Sequence, residues 1–450
     1  MPEATEEWHA ARLIPTAGIR GQEEQERRAT SSLLAVMGAV PDFGRALLAE
    51  LKAPRGSIST FAEVQLKDAD GKVSIPDGAI VVERGQTRWT CLLEVKTSGA
   101  PLKGEQVNRY LDMARLHGFD AVLTISNQIT ATPAESPVAV DGRKLRTVGL
   151  FHLSWWRVIT EAIVQHRFRG IEDEDQAWIL GELIAYLDHE KSGASGFQDM
   201  GDKWVSVRKA AAAGTLRPTN PEAREVAERW DQFVDYLSLG LSQDLGRDVK
   251  PVRPRKQTSD ARLDATSKAL AEEGTLRAVI KVPDAVGPLT VQADLRTRKV
   301  STSVPISAPG DGRPLTRIKW ILRQMPDAPA DLRLDVSFTG SRETTSLLLN
   351  EAREYPQRLL ASDPKRDPRS FDLTVTRPMG TKRGKGEQSF VLETRQQAVD
   401  FYRQVVQSVR PWQRPAPRLP AESTEVPEGP DPDSTPFSAT DREPGEAEDP

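Results

Sequence analysis

The stretch IPDGAIVVERGQTRWTCLLEVKTSG, residues 75–99, predicts a β-hairpin with charges at positions where strands usually carry apolar side chains. Centring its turn between Gly85 and Gln86 makes opposite positions sum to 171, so Asp77 faces Glu94. Lys96 projects on the same face as Glu94, because side chains alternate along a strand. The opposite face is apolar and predicts a sheet core of Ile80, Val82, Trp89, Cys91, Leu93 and Val95.

The charged face of this hairpin predicts a metal site. Two carboxylates opposite each other lie within about 5 Å, where like charges repel and weaken the sheet. A divalent cation resolves this conflict, and oxygen ligands from Asp77, Glu94 and the backbone carbonyl of Val95 suit Mg²⁺, or Mn²⁺ in its place. Such an ion activates water and neutralises charge at phosphorus, and Lys96 beside it can orient or deprotonate that water. This chemistry is that of phosphodiester hydrolysis.

The first 170 of the 450 residues predict one α/β domain. A helical pattern over residues 22–51 is interrupted at Pro41, and strands follow at residues 58–66 and in the hairpin. Residues 101–118 predict a helix that ends at Gly118, residues 119–126 a buried strand, and residues 147–166 a strand leading into a helix. We expect a mixed sheet flanked by helices.

The rest of the chain predicts a helical extension (171–246), a Pro- and Arg-rich linker (247–262) and an α+β accessory domain (263–412). The clearest helix runs from the Asn220 cap to Gly246. In the accessory domain the pattern predicts a strand at 389–395 and helices at 315–325, 345–360 and 396–410. An acidic tail, 413–450, is expected to be disordered, because it has too few large apolar residues to offset chain entropy.

Composition limits the expected cellular location and the expected partners of the protein. With the single cysteine Cys91 no internal disulfide is possible, and the N-terminus has no signal-peptide core, which predicts a cytoplasmic location. No apolar run reaches the 18 or so residues of a membrane span. Residues 415–450 carry a net charge of −8, which leaves +4 on the remainder. A mildly basic body tolerates a polyanionic partner without requiring one.

The pair PD and EVK at hairpin distance resembles the PD-(D/E)XK nuclease superfamily, whose restriction-endonuclease-like fold is a mixed sheet flanked by helices. By this resemblance Asp77 matches the acid of PD, and Glu94 and Lys96 match the (D/E)XK pair. The family also has a metal-facing glutamate on an early helix. Glu26 fits it best, with Glu23 as second choice and Glu63 as third.

Some branches of the superfamily, including RecB-like exonucleases, add Q-x-x-x-Y on the following helix, which Gln106 and Tyr110 match. The resemblance implies that these two residues line the substrate groove. It covers residues 20–165 and leaves 171–410 unexplained. Simpler interpretations remain for each position: a turn acid at Asp77, an exposed ion pair of Glu94 and Lys96, and helix-surface polar residues at Gln106 and Tyr110.

The expected function is a Mg²⁺-dependent nuclease that acts on nucleic acid, DNA before RNA, in genome defence, repair or stress response. A homodimer is compatible with this expectation. Two alternatives belong to other classes. One is a catalytically silent module of the same fold that binds nucleic acid or protein, and the other is a stress-response scaffold whose activity lies in residues 171–410.

Overall fold

The N-terminal part of the chain begins with two helices that meet at Pro41. The computed structural model describes residues 12–16, 19–194, 196–254, 256–384 and 386–414. Helix α1 spans Gln22–Ala39 and helix α2 spans Pro41–Glu50, and their axes differ by 110°. Pro41 occupies the first turn of α2, where its missing N–H costs nothing. The predicted helix break at Pro41 is confirmed.

The next elements form a mixed five-stranded sheet in the order β1-β4-β5-β6-β7. Strands β1, β4 and β5 are antiparallel neighbours, whereas β5, β6 and β7 run parallel. Strands β2 and β3 pair separately. In chain order the elements are β1 Ser57–Ala62, β2 Leu66–Lys67, β3 Val73–Ser74, β4 Gly78–Arg84, β5 Thr87–Val95, α3 Gly104–His117, β6 Ala121–Ser126, a 3₁₀ turn at Lys144–Arg146, β7 Gly149–Ser154, α4 Trp155–Val164 and a π-turn at Gln165–Arg169.

The hairpin register is the predicted one. Gly78 lies opposite Leu93 and Arg84 lies opposite Thr87, so paired positions sum to 171 throughout. The apolar face of the hairpin packs in a core with α1, α2 and α4, and the other face, with Leu92, packs under α3. Helices therefore cover both faces of the sheet, as the α/β prediction requires.

The rest of the chain contains a seven-stranded antiparallel sheet, ordered β13-β12-β14-β11-β10-β9-β8, and begins with a helix, Glu174–Asp188, that packs in the core of the first sheet instead. Its elements are α5 Glu174–Asp188, a 3₁₀ turn at Glu190–Ser192, α6 Trp204–Ala212, α7 Pro221–Leu245, β8 Lys250–Pro251, α8 Ser259–Glu272, β9 Thr275–Lys281, β10 Leu289–Asp294, β11 Lys299–Ser307, α9 Pro314–Arg323, β12 Arg333–Phe338, β13 Thr344–Leu348, α10 Leu349–Glu354, a 3₁₀ turn at Pro356–Leu359, β14 Pro368–Pro378, α11 Phe390–Gln404 and a 3₁₀ turn at Val406–Ser408.

Two predictions for this part are wrong. The strand predicted at 389–395 is the start of α11, whose N-terminus is capped by the Ser389 side chain. Its buried residues follow helical spacing: Phe390, Val391, Thr394, Gln397, Ala398 and Phe401. The helix predicted at 345–360 begins as strand β13, because these residues pair with β12, and becomes helical only in α10.

Helix α7 joins the second sheet to the first. As predicted, the Asn220 side chain caps its start and Gly246, with φ of 63°, ends it. Its Trp230 and Phe233 share one core with the second sheet, and α4 of the first sheet packs against the same helix. The described residues up to Trp412 form one compact unit. The predicted domain boundaries stay predictions.

The stretch predicted as a linker, 247–262, is bound to α7. It contains β8 and the first residues of α8, and its Arg253 lies 3.2 Å from Asp231 and 2.7 Å from Asp235. From residue 415 onward the predicted acidic tail lies outside the described residues. Among the described residues no single helix has the length and hydropathy to cross a membrane, although the bent pair α1 and α2 passes that test when joined.

Candidate functional site

Asp77 and Glu94 meet where β4 begins and β5 ends. The Asp77 carboxylate accepts a hydrogen bond of 2.7 Å from the backbone N–H of Val95, which holds Asp77 across the hairpin. Glu94 is the second-to-last residue of β5, directly before Val95, and its side chain is only 1% exposed. The hairpin therefore places both carboxyl groups in one pocket, as the register predicts.

The two oxygens of Glu94 have unequal surroundings. Oε1 lies 2.7 Å from Lys96 Nζ and accepts a hydrogen bond of 2.6 Å from the Gln106 side-chain amide. Oε2 is buried and receives no hydrogen bond of good geometry, although the Tyr110 hydroxyl and the Asp77 carboxyl both interact with the Glu94 side chain. A buried carboxylate oxygen without a good hydrogen bond carries a desolvation cost, typically about 1–3 kcal/mol or more for a charged group. An additional ligand at Oε2 would remove that cost.

Lys96 bridges the site to helix α1. Its Nζ lies 2.7 Å from Glu94 Oε1 and 3.2 Å from Glu26 Oε2, and it donates to the Val95 carbonyl at 3.1 Å. These contacts use the three donors of an ammonium group. The side chain is 16% exposed, so most of it is buried.

Of the three glutamates considered from sequence, only Glu26 reaches this cluster. Its side chain is 17% exposed and pairs with Lys96. Glu23 and Glu63 are mostly exposed and pair instead with Arg27. The buried Ala29, Thr30 and Leu33 that follow Glu26 pin this face of α1 against the sheet.

Gln106 and Tyr110 lie one turn apart on α3 and act on Glu94. The Gln106 amide donates both to Glu94 Oε1 and, at 3.3 Å, to the Tyr110 hydroxyl. Tyr110 is only 5% exposed, and its ring belongs to the core under α3. This arrangement supports a role in holding Glu94, while the predicted contact with substrate stays a prediction.

The electrostatics of the pocket favour a cation. Burial raises the pKa of Asp77 despite the Val95 hydrogen bond and the nearby Lys96. Burial, together with the charge of Asp77, raises the pKa of Glu94 to about 7. For Lys96, burial alone would lower the pKa, but Glu94, Glu26 and Asp77 together raise it above its usual value. Three carboxyl groups thus share one ammonium, and Lys96 stays protonated.

The residues present fit a divalent ion. Among the described residues no three His, Cys, Asp or Glu side chains are already arranged as a metal-ligand cluster. The candidate ligand set is a mixed one, with two carboxylates and the Val95 carbonyl, and oxygen ligands of this kind suit Mg²⁺. Glu94 Oε2, without a good hydrogen bond, gives it an available donor atom. The predicted Mg²⁺ or Mn²⁺ ligands therefore have suitable chemistry, and metal binding itself stays a prediction.

Two supports of the site were not recognised from sequence. The Trp155 indole, fully buried, donates at 2.9 Å to the backbone carbonyl of Lys96, so it packs as expected but also fixes the end of β5. The loop at Gly193 accepts hydrogen bonds of 2.9 Å from the Ser98 backbone and from the Asn127 side chain. No local pattern marks Gly193, because its importance comes from a tertiary contact 95 positions away in the sequence.

A separate cleft of about 770 Å³ lies between α2, α4 and α7. Its walls are charged, but the charges are paired across it, for example Glu50 with Arg157 at 2.7 Å and Asp235 with Arg253 at 2.7 Å. None of the described residues that line this cleft has a buried side-chain polar atom without a hydrogen-bond partner. The hairpin site has a buried oxygen without a good hydrogen bond and three carboxyl groups around one ammonium, and it is therefore the better candidate.

No protein-family model matches the chain, and no curated protein gives a significant match. The interpretation of the site therefore depends on its geometry and on the motif resemblance.

Proposed function

We propose that this chain is a Mg²⁺-dependent nuclease with a restriction-endonuclease-like N-terminal fold, and that it hydrolyses phosphodiester bonds in DNA in preference to RNA. The observation that carries the proposal is the buried Oε2 of Glu94, without a good hydrogen bond, in a pocket shared with Asp77 and Lys96. If Glu94 and Lys96 formed only a structural ion pair, Lys96 would already neutralise Glu94. The second buried carboxylate, Asp77, would then have no stabilising role.

The fold supports the same proposal. An antiparallel hairpin is followed by parallel strands, and helices cover both faces, which agrees with the layout expected from the PD-(D/E)XK resemblance. The early helix α1 supplies Glu26, and the helix after the hairpin supplies Gln106 and Tyr110. Fold alone does not specify activity, so the site residues carry the functional part of the argument.

Asp77, Glu94 and the Val95 carbonyl would hold the metal, with Glu26 contributing directly or through water. When bound, Mg²⁺ lowers the pKa of a coordinated water and neutralises charge at phosphorus. Lys96 stays protonated, so it orients the attacking water and stabilises the negative charge that develops, instead of acting as the base. Gln106 keeps Glu94 in place. The role in genome defence, repair or stress response, and the cytoplasmic location, are proposed by analogy.

Cleavage assays on matched variants test this proposal. Supercoiled plasmid, linear duplex, single-stranded DNA and RNA are incubated with Mg²⁺, Mn²⁺ or EDTA. Lys96→Met keeps the stem but removes the charge, and Lys319→Met on α9, which is exposed, is the control. We expect metal-dependent cleavage by wild type and the control, and a loss of about 100-fold or more in Lys96→Met.

A second matched pair lies on α1. Glu26→Gln is expected to reduce cleavage, whereas Glu23→Gln, whose carboxylate is 84% exposed, is expected to leave it unchanged. Equal cleavage by wild type and Lys96→Met would refute the proposal. Binding of nucleic acid without cleavage would select the silent module, and neither binding nor cleavage would favour the scaffold.

A further inference from the structure

The segment between β1 and β4, residues 63–76 and here called the arm, continues the strand pairing of the sheet beyond Asp77. Phe61 lies opposite Ala79 in the sheet, and Lys67 lies opposite Val73 in the arm, so both pairs sum to 140. The ladder is interrupted around Glu63, whose φ is 53° and whose N–H donates to the Asp77 carbonyl at 3.0 Å. The arm is thus a two-stranded ribbon that grows directly out of the candidate site.

The arm has one attached face and one open face. Leu66 packs against the core under α3, and the His117 ring nitrogen lies 2.8 Å from the Lys67 carbonyl. Since Lys67 and Val73 are the next positions along each strand, they point away from that core. Val73 is 49% exposed and Ile75 is 50% exposed. Gln65 and Ile75, which flank the paired residues, are exposed as well, so the open face comprises Gln65, Lys67, Val73 and Ile75.

The tip of the arm is a structured turn. The Asp68 carboxylate accepts hydrogen bonds from the backbone N–H groups of Asp70 and Lys72 at 3.0 and 2.8 Å. The Asp68 N–H donates to the Lys72 carbonyl at 2.9 Å. A ribbon held in this way is preorganised, so a partner would bind it at a small ordering cost.

We propose that the arm enters the major groove of duplex DNA and helps to select the sequence that is cut. This inference rests on the proposed nuclease function and adds its specificity element. The major groove, about 12 Å wide, admits a two-stranded β-ribbon. A glutamine and a lysine can hydrogen-bond to purine edges, and valine and isoleucine can contact thymine methyl groups.

The charges of the arm agree with a DNA partner at its open face. That face carries the Lys67 ammonium and no carboxylate. The arm has three acids. Glu63 lies 3.4 Å from Arg27, and the Asp68 carboxylate accepts hydrogen bonds from backbone N–H groups. Asp70 is exposed at the tip, two residues before the exposed Lys72. Because Asp77 directly follows the arm, a groove contact there would fix which phosphate reaches the pocket. Duplex RNA is a poor partner for the same surface, since its major groove is too narrow for side chains to read.

The test uses three single variants of the full chain: Gln65→Ala, Lys67→Ala and Ile75→Ala. Trp178→Ala on α5, where the tryptophan is 55% exposed, controls for the loss of an exposed apolar side chain. Lys319→Ala controls for the loss of an exposed cation. Cleavage ends on a random duplex library are sequenced, and kcat and KM are measured on the preferred duplex. We expect an altered end preference and a KM raised about 10-fold, with kcat within about twofold of wild type.

The outcomes separate this inference from the nuclease proposal. If wild type cleaves and the arm variants keep its KM and end preference, the arm inference is wrong and the nuclease proposal stands. If wild type does not cleave, binding of duplex DNA in EDTA tests the arm inference. Binding by wild type that the arm variants lose supports the inference. Equal binding by wild type and the variants, or no binding by wild type, overturns it. A changed sedimentation coefficient of Ile75→Ala would instead identify the arm as an interface between copies and overturn the inference.

Discussion

Replacing Glu94 by glutamine is expected to stabilise the metal-free protein while abolishing its activity. Because folding raises the pKa of Glu94 from 4.5 to about 7, the folded protein binds this proton more readily than the unfolded chain. The stability that this group contributes is therefore complete below pH 4.5 and is lost as pH rises through about 7. At pH 8 in EDTA the wild-type protein carries the whole cost of the buried charge.

The size of this cost follows from the pKa values. At about 1.4 kcal/mol per pKa unit, the interval from 4.5 to about 7 corresponds to about 3 kcal/mol. Unfolding entropy of about 2.1 cal/mol/K per residue, over roughly 400 residues, gives about 0.8 kcal/mol per degree. We therefore expect Glu94→Gln to raise Tm by about 4 °C at pH 8, and by only about 1 °C at pH 5, where most of the wild-type Glu94 is already protonated.

Differential scanning calorimetry in EDTA at pH 5 and pH 8 measures this effect. Glu23→Gln is the control, because its side chain is 84% exposed and its Tm is expected to equal that of wild type at both pH values. The charge of Asp77 contributes to the raised pKa of Glu94, so the measured effect belongs to the pair. A Glu94→Gln protein no more stable than wild type at pH 8 would refute the view that the pocket stores uncompensated charge.

Three further predictions concern the structure around the site. Burial lowers the pKa of His152 from 6.5 to about 4, so stability is complete above pH 6.5 and falls by up to about 3 kcal/mol toward pH 4; urea unfolding of His152→Gln is expected to lack this part of the pH dependence. Arg253→Met leaves Asp235, which is 7% exposed, without its ion-pair partner. We expect it to lower the free energy of unfolding by about 3–5 kcal/mol in the same assay. The double variant Arg253→Met with Asp235→Asn is expected to lose less, because it leaves no buried charge unpaired. Gly246→Ala places a Cβ against the Phe168 ring at a φ of 63° and is expected to lower stability by about 2 kcal/mol, as read from urea midpoints.

The hairpin could be predicted because its information is local. Apolar alternation and one turn are sufficient to set the register, and the register determines that Asp77 faces Glu94. Helix α3 was predictable for the same reason, since its period is regular and Gly118 ends it in the left-handed conformation, with φ of 72°. These two elements already bring together most of the candidate site.

The wrong predictions come from segments where local pattern is ambiguous. SFVLETR is short, and its alternation fits a strand as well as the first turns of a helix, so only the buried positions beyond it identify α11. Arg253 looked like part of a polar linker, because its partners Asp231 and Asp235 belong to another element. The Trp155 bond to the Lys96 carbonyl and the Gly193 contact are equally non-local. Tertiary partners of this kind leave no periodic signal in a single sequence.

Direct measurement of Mn²⁺ binding by electron paramagnetic resonance tests the central claim, because it does not require activity or a known substrate. We expect one Mn²⁺ site in wild type and in Glu23→Gln, with affinity reduced by more than about tenfold in Asp77→Asn and in Glu94→Gln. Equal Mn²⁺ binding by all four proteins, or none by wild type, would contradict the assignment of this pocket as a metal centre.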